Sequence, residues 1–330
     1  MSTVLRYLLR RGAGWVAMIV VATNLTYLLA NSFLDPRVNY LQLRPPRSDE
    51  EISRSLAQYN LDPGTPLLQR WWTWITGILT RWDWGSSPVG DSVNEQVAFR
   101  VVMSGQLVFG ALVLSVLIGV ALGVYSAQRR HRPADRVAQF VSVIALNTPV
   151  AVAGLVVVVA AITINQAVGQ TLFYVAGAQT PGVTGFWPVV LDRVQHLVLP
   201  TISLLFTSYA GYHMLQRAML LDVVGSDYVR TARAKGLTRG QAIRTHGLRS
   251  SLIPVATQVA FAIPALFTGA VLTEKIFSWQ GMGDYLIRTI SENDVHGVVA
   301  TAAFAALATA VGAILADVAV VALDPRVRVG

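Results

Sequence analysis

The chain has 330 residues, 53% of them hydrophobic and only 13% charged, with a formal net charge of +8 and no cysteine. A soluble protein carries about 25% charged residues, so half that share leaves too little charge to solvate a globular surface and implies that lipid covers much of the exterior. The missing cysteines exclude disulfides, thiolate metal sites and a cysteine nucleophile, and the basic surplus sits in short tracts between apolar runs, which indicates membrane topology and not a nucleic-acid surface.

A membrane span needs roughly 20 mostly apolar residues. That length is met at Gly12–Leu34, Val101–Ala127, Val137–Ile164, Leu197–Leu221, Ile253–Leu272 and Gly297–Leu323, which predicts an all-α integral membrane protein with about six transmembrane helices. Arg6, Arg10 and Arg11 precede the first run. The run is too long for a signal-peptide core and lacks a small-x-small cleavage site, so it reads as a retained span. Internal Gly119, Gly123, Pro149 and Pro264 are tolerable where neighbouring helices satisfy the freed backbone groups.

After the first span comes a long segment, residues 35–100, with Pro45, Pro46, Pro63 and Pro66 and then Trp71-Trp72-Thr73-Trp74 and Trp82-Asp83-Trp84. Indole rings favour the membrane interface, so Leu67–Arg81 is predicted to be a short helix lying there. The alternative is a small folded cap with the tryptophans as its core, and the two readings are compatible. The remaining chain divides into a five-helix core at 101–323, which includes a basic loop at 222–252, and a tail at 324–330.

Short loops set the orientation. Arg129, Arg130, Arg132 and Arg136 join the second and third spans; Arg230, Arg233, Lys235, Arg239, Arg244 and Arg249 follow the fourth; Arg326 and Arg328 close the chain. All fall on the side of Arg6, Arg10 and Arg11, while Asp192, Arg193, Asp284, Arg288, Glu292 and Asp294 lie opposite. By the positive-inside rule both termini are cytoplasmic, and the long segment at 35–100 is extracytoplasmic.

Within the basic loop, Asp227 to Lys235 has helical composition, with Ser226 and Asp227 as candidate caps and Gly236 as a stop. A second helix is predicted to start near Thr238 and run into the span that Pro254 opens. On composition alone such a basic loop is as readily a plain connector as a docking element.

The stretch Tyr228-Val229-Arg230-Thr231-Ala232-Arg233-Ala234-Lys235-Gly236-Leu237 resembles the signature cytoplasmic loop of ABC importer permeases, the EAA loop, in the form found in the dipeptide, oligopeptide and nickel permease family. Arg230 stands where that loop usually has Glu, and Thr231 replaces its first Ala, so the contact of that Glu is not carried over. The resemblance spans nearly the whole chain. Leu5-Arg6-Tyr7-Leu8-Leu9-Arg10-Arg11, Leu61-Asp62-Pro63, Trp82-Asp83-Trp84-Gly85, Glu274 to Gly283, and Asp317 with Leu323-Asp324-Pro325-Arg326-Val327-Arg328 are similar to the start, outer loop, last loop and terminus of the B-type peptide permeases. It implies a bacterial inner-membrane subunit that pairs with a second homologous permease, two ATPase subunits and an extracytoplasmic binding protein. Asp227, Tyr228, Arg230, Thr231, Ala232, Arg233, Lys235, Gly236 and Leu237 would form the ATPase-coupling region. The implied cargo is peptide, oligopeptide first, with a nickel complex as the alternative. ATP and Mg would bind the partners, because this chain has no G-x-x-x-x-G-K-[ST] and no cofactor site of its own.

Polar residues inside spans are costly and face a cavity or a partner helix. Asn24, Asn147, Tyr209, His213, Gln216, Gln258 and Asp317 qualify. Asn147, Tyr209, His213 and Gln258 are the candidates for a translocation path; the plainer reading is helix–helix hydrogen bonding. No ladder of acids crosses the spans, which argues against a proton-coupled carrier or channel. The five histidines have no metal-ligand spacing, there is no H-E-x-x-H and no Ser–His pairing, and a non-catalytic transport subunit is expected. A plain membrane scaffold would not need the Arg230–Gly236 motif.

Overall fold

The computed structural model describes residues 3–41 and 44–323, with side chains described except at 3–10, 228, 239, 244, 246, 260, 263–269 and 319–323. The side chains of Arg6, Arg10, Tyr228, Arg239, Arg244 and Pro264 and the tail Asp324–Gly330 therefore lie outside the described residues. The elements in order are α1 (Thr3–Phe33), α2 (Val38–Leu41), α3 (Asp49–Gln58), α4 (Leu67–Arg81), α5 (Val93–Gln128), α6 (Pro133–Asn147), α7 (Val150–Val168), α8 (Phe186–Val224), α9 (Asp227–Ala234), α10 (Arg239–Ala242), a π-helical turn (Ile243–Gly247), α11 (Leu248–Ile276), α12 (Met282–Ser291) and α13 (Val295–Leu323). Among the described residues, extended pairing is limited to one isolated bridge, Ser86 with Ser92.

Five helices, α1, α5, α7, α8 and α13, are long and apolar enough to cross a membrane among the described residues. The predicted fifth span, Ile253–Leu272, lies inside α11, which at 29 residues and about 1.5 Å per residue has the length to cross as well.

One prediction is corrected. The single span at Val137–Ile164 is two helices, α6 ending at Asn147 and α7 starting at Val150. Pro149 causes the break: its ring bars the preceding residue from the helical region, and Thr148 is extended at φ −85°, ψ 118°. Proline then serves as the N-cap of α7. The predicted span at Leu197–Leu221 grows to a 39-residue helix, because Pro200 is accommodated within α8.

The chain forms two compact units, Met1–Ser104 with Gln280–Ala310 and Gly105–Trp279 with Val311–Gly330. In the first, α4 has the bounds expected of it. Trp74 is buried with Tyr27, Ile52, Leu56, Leu61, Val295 and Val299, and stacks on Tyr27 at 4.6 Å and 22°. Two polar ties hold α4 to α1: the Trp71 indole donates to Asn24 Oδ1 at 2.7 Å, and Arg70 donates to Asn31 Oδ1 at 2.8 Å. Elsewhere Arg100 pairs with Asp284 at 3.2 Å and lies over the Tyr285 ring. Asp294 caps α13 by accepting from Gly297 N at 2.9 Å.

In the second unit α8 is central, with α6, α7 and α11 packed on it. Its fit to α5 depends on two glycines. A Cβ at Gly119 would lie 2.6 Å from the Tyr209 carbonyl oxygen, and one at Gly123 2.7 Å from Gln216 Cβ. The i, i+4 pair of small residues lets two backbones approach closely, the usual device for packing helices in lipid.

Candidate functional site

The basic loop folds as a short helix, a glycine turn and a second short helix. α9 begins after Ser226, whose backbone is extended, and ends in a Schellman motif. Leu237 N donates to Ala232 O at 3.3 Å and Gly236 N to Arg233 O at 3.0 Å. That geometry requires a left-handed residue, and Gly236 supplies it at φ +94° with nothing within 4 Å of where a Cβ would stand. Backbone conformation, not space, therefore demands the glycine. Leu237 packs against Val229, Ala232 and Ala242, the apolar contact that accompanies such a turn. Thr238 opens α10 with a capping box: Thr238 N donates to Gln241 Oε1 at 3.0 Å, and Gln241 N to Thr238 Oγ1 at 3.4 Å.

Two kinds of residue result. Val229, Ala232, Ala242 and Ile243 are buried, while Asp227, Arg230, Thr231, Arg233, Lys235 and Gly236 are exposed and Leu237 is half-buried. The loop thus buries its apolar positions and presents a basic outer surface. Arg230 pairs with Asp227 at 3.6 Å, with both side chains largely in solvent, a contact worth little. Inward, Ile243 packs on Leu220 of α8 and Ala127 of α5. Gly247 passes so close to α8 that a Cβ would lie 2.9 Å from Val223 Cγ1. Movement of α9 and the π turn is in this way tied to the ends of two long helices.

Next to this anchor the helices are joined by polar side chains. Arg217 of α8 binds Asp135 of α6 through Nε to Oδ1 at 2.7 Å and Nη2 to Oδ2 at 2.9 Å. The same carboxylate accepts from His131 N at 2.9 Å and Gln139 Nε2 at 3.0 Å. Arg217, then the His131 amide and Ser126, hold its pKa far below the usual carboxylate range against the opposing effect of burial. Contrary to the expectation of no Ser–His pairing, His213, fully buried, bridges Ser142 of α6 at 2.6 Å and Ser126 of α5 at 3.2 Å. Gln216 Nε2 donates to Ser251 Oγ of α11 at 2.9 Å.

The candidate path residues are placed differently from one another. His213 and Tyr209 are buried on α8, His213 in the network above and Tyr209 against Ala145 and Ala210. Asn147 is exposed and donates back to Val143 O in its own helix at 2.7 Å. Gln258 is exposed, its amide nitrogen 3.5 Å from where a Cβ on Gly211 would be. Tyr209 and His213 thus lie one turn apart on α8 and Gln258 comes near the same helix at Gly211, whereas Asn147 bonds within its own helix. Sequence reading passed over Asp135, an acid inside the tract Arg129–Arg136. Its only sequence signal was that it breaks a basic run at a helix start.

Residues 119–329 match the family model described as binding-protein-dependent transport system inner membrane component. The chain is 38% identical to the oligopeptide transport system permease protein OppB of Mycobacterium tuberculosis over 98% of this chain and 99% of that protein. It is 32% identical to the dipeptide permease DppB of Bacillus subtilis over 98% of each, and 28% identical to the glutathione permease GsiC of Salmonella typhi over 98% of this chain and 99% of that one.

Proposed function

The chain belongs to the family of binding-protein-dependent transport system inner membrane components, and from that premise we propose that it is the B-type permease subunit of an ATP-driven importer of peptides, oligopeptides first. In this reading the chain spans the cytoplasmic membrane several times with both termini inside. It pairs with a second permease, and an extracytoplasmic binding protein delivers the cargo. Of two ATPase subunits, one docks on the surface formed by Asp227, Arg230, Thr231, Arg233 and Lys235. ATP and Mg belong to those subunits, and this chain carries no chemistry of its own.

The observation that carries the reading is the construction of the basic loop. Its exposed face is free to be bound, and its buried face is wedged by Ile243 and Gly247 against Leu220 and Val223 of α8 and Ala127 of α5. A rigid short element so anchored transmits a push as rigid-body motion of the spans, the requirement of alternating access. Similarity over full length to oligopeptide and dipeptide permeases supports the cargo assignment.

The test is purification of the tagged chain from its own membranes in mild detergent, followed by reconstitution in liposomes. Recovery of a second permease with ATPase subunits, and peptide uptake that requires ATP, is the expected result. Solute movement by the chain alone without ATP would make it a self-sufficient carrier or channel and end this reading.

A further inference from the structure

Helix α4 has three faces. Arg70, Trp74 and Gly77 are buried, with Trp71 and Ile78 packed on the same core. A second strip holds Gln69, Thr73, Thr76 and Thr80. A third consists of Leu68, Trp72 and Leu79, at i, i+4 and i+11, which a 3.6-residue period places on one stripe. This third face is apolar yet uncovered: Leu68 and Leu79 are each 77% exposed, Trp72 62%, and Trp82 at the helix end 68%. Apolar surface concentrated in this way marks an interaction surface.

The occupant follows from what α4 is fixed to. Its buried face is held by Asn24, Tyr27 and Asn31 of α1. That part of α1 belongs to a membrane-length helix and exposes Leu25, Leu28, Leu29 and Phe33. The bare stripe of α4 thus sits on a helix fastened to a span whose own exposed residues are apolar. The threonine hydroxyls on the polar strip are satisfied within the helix, Thr73 to Gln69 O at 3.0 Å, Thr76 to Trp72 O at 2.7 Å and Thr80 to Thr76 O at 2.7 Å, so they do not depend on water. Arg81 closes the helix with a cation, and indole rings favour the headgroup region of a bilayer. Beyond Trp82 the surface enters an apolar groove of about 350 Å³ lined by Ile19, Val97, Ala303, Phe304 and Leu307.

We propose that α4 is an in-plane interfacial helix whose Leu68, Trp72, Leu79 and Trp82 are immersed in phospholipid, with an acyl chain of the same lipid in the adjoining groove. Immersion to about 5–10 Å is usual for such helices. The helix holds the end of α1 at a fixed depth while the rest of the protein moves.

Because the chain has no cysteine, each introduced cysteine is the only one it carries, and the complex with the unaltered chain, taken through the same labelling, gives the background of the other subunits. Nitroxides are attached at Leu68→Cys, Trp72→Cys and Leu79→Cys, and at Gln69→Cys, Thr73→Cys and Thr80→Cys. The full chain, with the subunits it co-purifies with, is reconstituted in phosphatidylethanolamine–phosphatidylglycerol vesicles, and only variants with an unshifted thermal midpoint are read. Collision with oxygen should exceed collision with a water-soluble nickel chelate at the first three positions, and the order should reverse at the others. Stripe positions as open to the chelate as the threonine strip would overturn the proposal. So would stripe positions closed to both reagents, which would mean that another protein covers them.

Discussion

Arg217 and Asp135 meet in a two-point salt bridge, at 2.7 and 2.9 Å, across 82 residues of sequence. The carboxylate side chain is 1% exposed and the guanidinium 17%, so neither can fall back on water if its partner is removed. Breaking a buried pair costs about 3–5 kcal/mol, mostly because one charge is left uncompensated. Asp135→Ala should therefore lower the thermal midpoint of the purified protein sharply. The double variant with Arg217→Leu should recover much of the loss, since it removes both charges. Equal damage in the single and double variants would show that shape, not charge, is at stake.

The same pair has a defined pH dependence. Its folded pKa is depressed well below the ordinary aspartate value of 3.8. The stabilisation is therefore complete above that value and is lost only as pH falls below it toward the folded pKa. Asp135→Asn should remove this acid-side dependence, as read from unfolding midpoints between neutral pH and about pH 2.

Asp294 behaves in the opposite sense. Burial, reinforced by Glu292 and Asp91, pushes its pKa up to about 6 against the Gly297 amide that it accepts from. A carboxyl raised in the fold favours the protonated form, so stability is highest below about pH 4 and falls as pH rises through about 6. The shift is worth on the order of 3 kcal/mol at most. Asp294→Asn keeps the capping oxygen and should flatten that slope; an unchanged slope would assign it to other groups.

Glycines give a graded test. Gly119 and Gly123 face backbone and Cβ atoms within 3 Å, whereas Gly105 has nothing within 4 Å. Gly119→Ala and Gly123→Ala should each cost about 1–3 kcal/mol through forced separation of α5 and α8. Gly105→Ala should stabilise by up to about 1 kcal/mol through helix propensity. At Gly236 the strain is conformational, about 1–2 kcal/mol for an ordinary residue. Uptake should fall in the order Gly, Asn, Ala, Val at that position, with the amount of protein in the membrane unchanged.

Helix periodicity and turn residues were legible in the sequence because they act locally. The apolar runs marked the spans, Pro66 and the tryptophans bounded α4, and Gly236 marked the turn that the Schellman motif occupies. The break at Pro149 was also present in the sequence, but a continuous apolar run outweighed it. The Asp135–Arg217 pair and the two-serine cradle of His213 were not legible. Each depends on helices far apart in sequence lying side by side, and no periodicity encodes that. Likewise the tryptophans of α4 divide between core and exposed stripe only once α1 is packed beneath them.

The central claim is that α9 is where ATPase subunits engage. The most direct measurement is cross-linking in the cysteine-free chain, with Thr231→Cys and Ala234→Cys, both exposed on α9, and Leu172→Cys on the loop after α7 as the control. In the intact complex, a short cross-linker should join the two α9 positions, and not the control, to an ATPase subunit. A complex that contains ATPase subunits yet gives no cross-link from either α9 position, or gives one equally from Leu172→Cys, would contradict the account.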